Sequence, residues 1–265
     1  MTGITFAARA LAAALLSLVS VTVAAQDVAV TQQTFEPTSG QAGKDVVWVP
    51  TPQATVDKML DLAKVTASDV VIDLGSGNGI TVITAARRGA TAMGVEFNPD
   101  MVALARNLAR EAGVADKATF VEGDLFEVDL SKATVITLFL LPEINERLRP
   151  KLLDLKPGTR VSSNSFDMGD WEPDAKETSE PCSSWCTVLS WTVPAKVGGN
   201  WQVGGDTLTL TQNYQRVSGT LGAAAITGGR LTGDVITFTA NGRVFEGRVD
   251  GDRMSGEGWS ATRSR

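Results

Sequence analysis

The chain has 265 residues, of which 24 are basic, 30 are acidic, two are cysteines and none is histidine. Without histidine there is no imidazole base, so a Ser-His-Asp triad and a Cys-His pair are both excluded. A histidine-ligated metal is excluded as well, and two cysteines cannot form a four-cysteine zinc site, so we expect no metal site. The net charge of -6 argues against a nucleic-acid partner, because phosphate binding needs a clustered excess of lysine and arginine.

The first 25 residues are predicted to be a secretory signal peptide. One cation, Arg9, precedes an apolar stretch from Ala10 to about Val23, and a cleavage site fits near Ala25-Gln26. The alternative is an uncleaved membrane anchor, for which this apolar run is marginally short. No later segment is apolar over about 18 residues. We therefore expect a periplasmic or secreted protein with no stable membrane span after cleavage, or an anchored form of it.

From about Val46 to Phe166, short β-branched runs alternate with helical periodicity, which indicates an α/β fold with a mainly parallel sheet covered by helices. A helix is predicted to begin at Asn98-Pro99-Asp100 and to end at Gly113, since Asn caps a helix, Pro suits its first turn and Gly stops it. The predicted strands are Val70–Ile72, Thr91–Val95, Ala118–Val121, Thr134–Leu141 and Arg160–Phe166.

The most informative segment is a buried strand from Val70 that runs into a loop with glycines at 75, 77 and 79. Glycines at this spacing let a ligand lie against bare backbone at the carboxyl end of a strand. A dinucleotide fingerprint would need glycine at position 80, which is Ile80, and no Walker pattern follows. Asp73 enters the loop and would repel a pyrophosphate, but it would suit a ligand that carries positive charge.

Two further acids follow the next two strands. Glu96 lies 19 residues past Gly77, the offset at which a carboxylate meets ribose hydroxyls in nucleotide-binding sheets. Asp124 follows the third strand and could accept a hydrogen bond from an adenine amino group. Together with the glycine loop, these acids predict an adenosyl pocket without phosphates.

Over roughly Val46 to Trp171 the chain resembles the class I S-adenosylmethionine-dependent methyltransferases. In that family the glycine loop packs on the amino-acid part of the cofactor, the acid after strand two binds the ribose and the acid after strand three binds the adenine. The resemblance therefore implies S-adenosyl-L-methionine as cofactor, bound by Thr51, Asp73, Gly75, Ser76, Gly77, Glu96, Asp124 and Leu125.

Within that family the chain resembles the Dot1-like and mitochondrial-type protein lysine methyltransferases. This narrower resemblance is carried by Val49-Pro50-Thr51-Pro52 and by the stretch from Phe139 to Glu143. The family usually has aspartate where this chain has Asn78.

Several residues have a second interpretation. The glycine loop could be only a tight strand-to-helix turn, and Glu96 and Asp124 could be ordinary acids at strand ends. Thr51 could cap a helix before Gln53. The catalytic residues are unknown; the candidates are Glu143 and Asn164, at the ends of predicted strands four and five, although Glu143 also suits a helix start.

The pattern changes after residue 195, where 14 of the 26 glycines lie and apolar residues alternate with polar ones. Strands are predicted at Thr207–Leu210 and Ile236–Phe238, with hairpin turns at Asn241-Gly242 and Asp250-Gly251. We therefore expect a signal peptide at 1–25, a methyltransferase domain at 26–194 and a small antiparallel β domain, a meander or a small barrel, at 198–265.

The stretch from Asp167 to Trp201, rich in Pro, Ser and Trp, is predicted to be the connection between the two domains. Its cysteines, Cys182 and Cys186, form a disulfide or remain two buried thiols. The tryptophans at 171, 185, 191 and 201 pack between domains or form a substrate cage.

The resulting prediction is methyl transfer to a protein lysine or a small amine, by in-line displacement at the sulfonium methyl. The stretch from Leu138 to Pro142 stands where enzymes acting on amides or bases carry a polar motif, which disfavours adenine, cytosine and glutamine substrates. The alternative is an exported cofactor-binding or scaffold module without turnover. An exported enzyme would need a supply of its cofactor outside the cytosol.

Overall fold

The computed structural model describes residues 1–3 and 35–264, so all but the first three residues of the predicted signal peptide lie outside the described part of the chain. Two sheets are present, one from each predicted domain. No helix in the described ranges is long and apolar enough to cross a membrane.

The first sheet has seven strands in the order β3-β2-β1-β4-β5-β7-β6. Strands β1 to β5 pair in parallel, and β7 runs antiparallel to both of its neighbours. The chain order reverses between β1 and β4, so their carboxyl ends open a crevice of the kind in which α/β sheets bind ligands. The strands are β1 (Val70–Leu74), β2 (Thr91–Glu96), β3 (Ala118–Glu122), β4 (Val135–Leu138), β5 (Arg160–Asn164), β6 (Ala175–Thr178) and β7 (Thr187–Thr192).

In the described ranges, four helices cover this sheet. The cores show that α1, α2 and α3 pack on one face, while α4 packs on the other. The fold class predicted from the sequence is therefore confirmed. The helices are α1 (Gln53–Leu62), α2 (Ile80–Arg87), α3 (Pro99–Glu111) and α4 (Pro142–Leu153).

Helix α3 has both of the predicted end signals. The Asn98 side chain accepts hydrogen bonds from the backbone N–H groups of Asp100 and Met101, at 2.9 and 3.4 Å. Gly113 follows the helix with a φ of 69°, a left-handed conformation that favours glycine. This helix starts directly after β2, so its N-terminus lies at the crevice.

The stretch from Asp167 to Trp201, which is predicted to be the connection between the two domains, contains β6, β7 and the start of the second sheet. Four consecutive residues of β7, Val188 to Trp191, are buried, so the strand lacks the alternation of buried and exposed residues that marks a half-exposed strand. Strand β6 has only four residues at the sheet edge. Predicted strands four and five also end earlier, at Leu138 and Asn164.

The second sheet has nine antiparallel strands and closes on itself, because β9 pairs with β10 as well as with β8. Of the two predicted forms, a meander or a small barrel, the smaller domain is therefore the barrel. Its interior holds alternate residues such as Trp201 and Phe238. The strands are β8 (Gly199–Val203), β9 (Asp206–Asn213), β10 (Arg216–Leu221), β11 (Ala224–Ala225), β12 (Thr227–Thr232), β13 (Val235–Ala240), β14 (Arg243–Asp250), β15 (Arg253–Gly256) and β16 (Trp259–Arg263).

The four tryptophans of the connecting region have two different environments. Trp171, Trp191 and Trp201 are buried, and the Trp171 indole N–H donates to Oε1 of Gln215 in the second domain at 3.0 Å. Packing is therefore the role of these three. Trp185 is 42% exposed and belongs to the crevice described below.

Candidate active site

A cavity of about 250 Å³ lies at the carboxyl ends of β1, β2 and β4. The acids at the ends of the first three strands, Asp73, Glu96 and Asp124, all line it, so they share one hollow as the sequence predicts. All eight residues that are predicted to bind the cofactor line this cavity. They are Thr51, Asp73, Gly75, Ser76, Gly77, Glu96, Asp124 and Leu125. The contact that each makes with the cofactor stays a prediction.

Asp73 is the buried acid of the site, and its residue is 6% exposed. It lies in register between Gly94 of β2 and Thr137 of β4, and it accepts a 2.5 Å hydrogen bond from the Thr137 hydroxyl. Burial raises the pKa of Asp73 to about 7, the nearby charge of Glu96 adds to the rise, and the threonine hydrogen bond opposes it. Since no ion pair to Asp73 occurs in the described part of the chain, a cationic ligand would supply the missing positive charge.

The glycine loop presents bare backbone to the cavity. Gly75, Gly77 and Gly79 have φ values of 75°, 52° and 82°, which strongly favour glycine. A Cβ atom on Gly77 would lie 2.6 Å from Nε1 of Trp48, so an indole already packs against the space that a side chain would need. This close approach makes glycine necessary at position 77.

Glu96 joins the glycine loop to the start of α3. Its Oε2 accepts a 2.8 Å hydrogen bond from the Gly77 N–H, and its Oε1 accepts a 3.0 Å hydrogen bond from the Asn98 N–H. The carboxylate is half-buried at the cavity wall, where it retains lone pairs for a ligand hydroxyl. Glu96 is thus both a candidate ribose ligand and a fixed support of the loop.

Asp124 follows the carboxyl end of β3, at the same sheet edge as Glu96, and its carboxylate already accepts two hydrogen bonds. Its Oδ1 accepts from the Phe126 N–H at 2.9 Å, and its Oδ2 accepts from the Lys44 ammonium at 2.6 Å. The lysine hydrogen bond holds the pKa of Asp124 below its ordinary value. An adenine amino group at this position would share the carboxylate with Lys44.

Sequence reasoning missed the segment before α1 that crosses the cavity. Lys44 and Trp48 line the cavity, and the Lys44 ammonium also lies 4.8 Å from the centroid of the exposed Phe97 ring. The segment has no helical or strand periodicity, and its aromatic residue just before Val49-Pro50 is the one signal that could have suggested it.

The two interpretations of Thr51 are separated by the structure. Pro52, not Thr51, is the N-cap of α1, and no side chain caps that helix. Thr51 instead lines the cavity. The helix-cap interpretation is therefore wrong, and the threonine is placed where the cofactor interpretation requires it.

Neither candidate catalytic residue lines the cavity. Glu143 is exposed in the first turn of α4, in agreement with its alternative interpretation as a helix-start acid. Asn164 is fully buried at the end of β5, where its Oδ1 accepts from the Ser165 hydroxyl at 2.9 Å and its Nδ2 has no partner among the residues that the structure describes. Their placement gives no support to a catalytic role.

These residues fit S-adenosyl-L-methionine, which supplies a sulfonium-activated methyl group when it is bound. Gly75 and Gly77 line the cavity with bare backbone, where the methionine part would lie, and Glu96 and Asp124 line the same cavity, where they could meet the nucleoside. The buried Asp73 carboxyl has no cation beside it among the residues that the structure describes. No cluster of basic residues that a pyrophosphate would need surrounds the glycine loop in the described part of the chain.

Comparisons with known proteins agree with this fit. The model of the ANTKMT methyltransferase domain family matches residues 73–175. A protein-lysine N-methyltransferase of Saccharolobus islandicus is 47% identical over 131 residues, which cover 48% of this chain and 81% of that protein. An adenine nucleotide translocase lysine N-methyltransferase of Mus musculus is 38% identical over 107 residues, which cover 40% of this chain and 47% of that protein.

A solved structure extends the comparison to the cofactor. The crystal structure of an RNA methyltransferase from Salinibacter ruber, in complex with S-adenosyl-L-homocysteine, is 53% identical to this chain with a TM-score of 0.53. The match covers 56% of this chain and 96% of that one. The chain therefore belongs to the class I S-adenosyl-L-methionine-dependent methyltransferases.

Proposed function

We propose that this methyltransferase acts on a lysine side chain of a protein. The observation that carries the proposal is the end of the cavity beside β4 and β5, where Phe139, Leu140, Leu141 and Phe166 line the wall. Such a wall offers no polar partner for a planar amide or a nucleobase, but it accommodates an aliphatic chain. The Saccharolobus and mouse relatives, which are named as lysine N-methyltransferases, support the same choice.

An apolar wall also suits the chemistry of an amine acceptor. A lysine has a pKa of about 10.4 in water and must lose its proton before nitrogen can attack. Desolvation lowers the pKa of an amine, so entry into the apolar end favours the neutral nucleophile. The nitrogen lone pair then forms the new bond to the methyl carbon as the carbon–sulfur bond breaks, and the nitrogen proton leaves to solvent. Because desolvation supplies the neutral amine, this route does not depend on Glu143, which is exposed outside the cavity.

The rim of the cavity favours a protein acceptor over RNA. Four large apolar side chains are exposed around the opening, namely Val47, Phe97, Leu141 and Trp185. Exposed apolar groups at one site indicate a protein-contact surface, whereas RNA would require exposed lysine and arginine. The net charge of -6 points the same way.

We also propose that the protein is exported and that it is related to the Dot1-like and mitochondrial-type lysine methyltransferases. Export is supported by the bond between Cys182 and Cys186, since disulfides persist in oxidising compartments. The kinship is supported by the ANTKMT domain match over residues 73–175.

The test is transfer of labelled methyl groups from S-adenosyl-L-methionine to envelope proteins and, separately, to RNA. We expect label that protease but not ribonuclease releases, and methylated lysine after acid hydrolysis. Label in RNA would contradict the proposal. Cofactor binding without any labelled protein would favour the module without turnover.

A matched pair of variants ties this activity to the cavity. Glu96→Ala removes a carboxylate that contacts the glycine loop, and we expect cofactor affinity to fall by about 10- to 150-fold, or roughly 1.5–3 kcal/mol for a hydrogen bond to a charged group. Glu122→Ala removes the exposed acid beside it in register, outside the cavity, and should leave affinity unchanged. Equal affinities in both variants, measured by calorimetry, would refute the assignment of Glu96.

A further inference from the structure

Three aromatic rings meet at the acceptor end of the cavity. Phe139 follows β4, Phe166 follows β5, and Trp185 lies in the loop between β6 and β7. The Trp185 centroid is 5.8 Å from that of Phe139 and 5.4 Å from that of Phe166. This aromatic wall stands on the far side of β1 from Glu96 and Asp124. With the nucleoside held by Glu96 and Asp124, this is the side of the cavity that would be left open to an acceptor.

Trp185 is more exposed than the two phenylalanines. It is 42% exposed at the rim, whereas both phenylalanines are half-buried. An exposed indole that completes an aromatic wall at a cavity mouth is a surface available to a ligand.

The loop that carries Trp185 is closed by the Cys182–Cys186 disulfide. Trp185 has a φ of 57°, a left-handed conformation that a tryptophan rarely adopts. So short a ring leaves the backbone at Trp185 few alternative conformations, and in the conformation present the indole packs against the two phenylalanines.

The base of the loop is fixed to the methyltransferase sheet and to α1. The Ser179 N–H donates to the Cys186 carbonyl at 2.8 Å, and the Ser179 hydroxyl lies 2.8 Å from that of Thr55. The Ser165 N–H donates to the Thr187 carbonyl at 2.7 Å, next to Phe166. Beyond this base, the disulfide closes the tip of the loop, where Trp185 packs against the two phenylalanines.

We propose that Trp185 determines acceptor specificity and that the Cys182–Cys186 disulfide holds it in place. The indole packs against the methylene chain of the incoming lysine and attracts its ammonium group before deprotonation. This inference rests on the proposed lysine acceptor. It assigns to the disulfide a role in substrate recognition, so the reduced enzyme binds its acceptor more weakly than the oxidised enzyme.

The test is steady-state kinetics on a synthetic peptide that spans the methylated lysine found in the labelling experiment. For Trp185→Ala we expect an acceptor KM about tenfold higher, with cofactor KM and the Kd for S-adenosyl-L-homocysteine within about twofold. Trp185→Phe should recover most of the loss. Val244→Ala, which truncates another exposed side chain on β14, is the control and should change neither KM.

The role of the disulfide is tested by the double variant Cys182→Ser, Cys186→Ser. It should raise the acceptor KM in the native background and add nothing in the Trp185→Ala background, because the bond acts through the indole. Binding of S-adenosyl-L-homocysteine and the thermal unfolding midpoint show whether each variant is folded.

The outcomes separate this inference from the proposed function. An unchanged acceptor KM in Trp185→Ala would overturn the inference and leave lysine methylation standing. Parallel losses of acceptor and cofactor binding would also overturn it, since a general structural role would explain them. If the native enzyme labels no lysine, the proposed function fails and this inference fails with it.

Discussion

Asp73 makes the pH dependence of cofactor binding a direct test of the site. Burial raises the pKa of this carboxyl to about 7, with the charge of Glu96 acting in the same direction and the Thr137 hydrogen bond against it. Below pH 7 the group is mostly neutral, and above pH 7 it is mostly an anion. The cofactor carries a sulfonium charge, so the anionic form should bind it more tightly.

The size of the effect follows from the ionised fraction. If only the anion binds, that fraction is about one eleventh at pH 6 and about ten elevenths at pH 8 for a pKa near 7. The affinity for S-adenosyl-L-methionine should therefore rise about tenfold between pH 6 and pH 8. Binding should release protons over the same range.

The same shift has the opposite sign for the stability of the free protein. The folded-state pKa lies above the ordinary value of 3.8, so the folded chain binds more protons than the unfolded chain between about pH 4 and pH 7. The free energy of unfolding should fall as the pH rises through this window, by up to about 4 kcal/mol for a shift of about three units. The contribution is fully present below the unfolded-state pKa.

Calorimetry of cofactor binding at pH 6, 7 and 8, in two buffers with different ionisation enthalpies, measures both affinity and proton release. Asp73→Asn is the control, because it keeps the size of the side chain but cannot titrate, and it subtracts the titration of the cofactor itself. A native affinity constant within twofold across this range would refute the reasoning. An equal pH dependence in Asp73→Asn would refute it as well.

Two further predictions concern stability. Gly79→Ala should lower the free energy of unfolding, measured in urea, by about 2–5 kcal/mol, because φ is left-handed there and the new Cβ would lie 2.6 Å from the Phe120 ring. Gly113 has a left-handed φ but open space around it, so Gly113→Ala should lower the free energy of unfolding by only about 1–2 kcal/mol. Trp171→Phe should lower the free energy of unfolding by about 1–3 kcal/mol, because the buried Oε1 of Gln215 in the second domain loses its donor. The Trp259 indole donates to the carbonyl of the exposed Glu246, so Trp259→Phe should lower it by less than about 1 kcal/mol. Equal losses within either pair would contradict the contact assigned to its first member.

The methyltransferase sheet could be predicted because its signals are local. A strand, a glycine turn and a helix start succeed one another within a few residues around Asp73. A strand followed within a few residues by a helix start recurs at Glu96 and Asn98, without the glycines. Parallel strands bring their carboxyl ends to one edge, so acids that follow three strands must converge. The convergence of Asp73, Glu96 and Asp124 on one cavity was therefore contained in the sequence.

Other parts of the site depend on the path of loops, which leaves no periodic trace. Lys44 reaches Asp124 across 80 positions from a segment without regular structure. Trp185 meets Phe139 because β6 and β7 return the chain to the cavity edge, and those strands lack the usual alternation. Burial raises the pKa of Asp73, and burial is a property of the neighbouring strands rather than of the acid itself. The local order of residues determined the fold and the cofactor pocket, while the packing of distant segments decided what surrounds the acceptor.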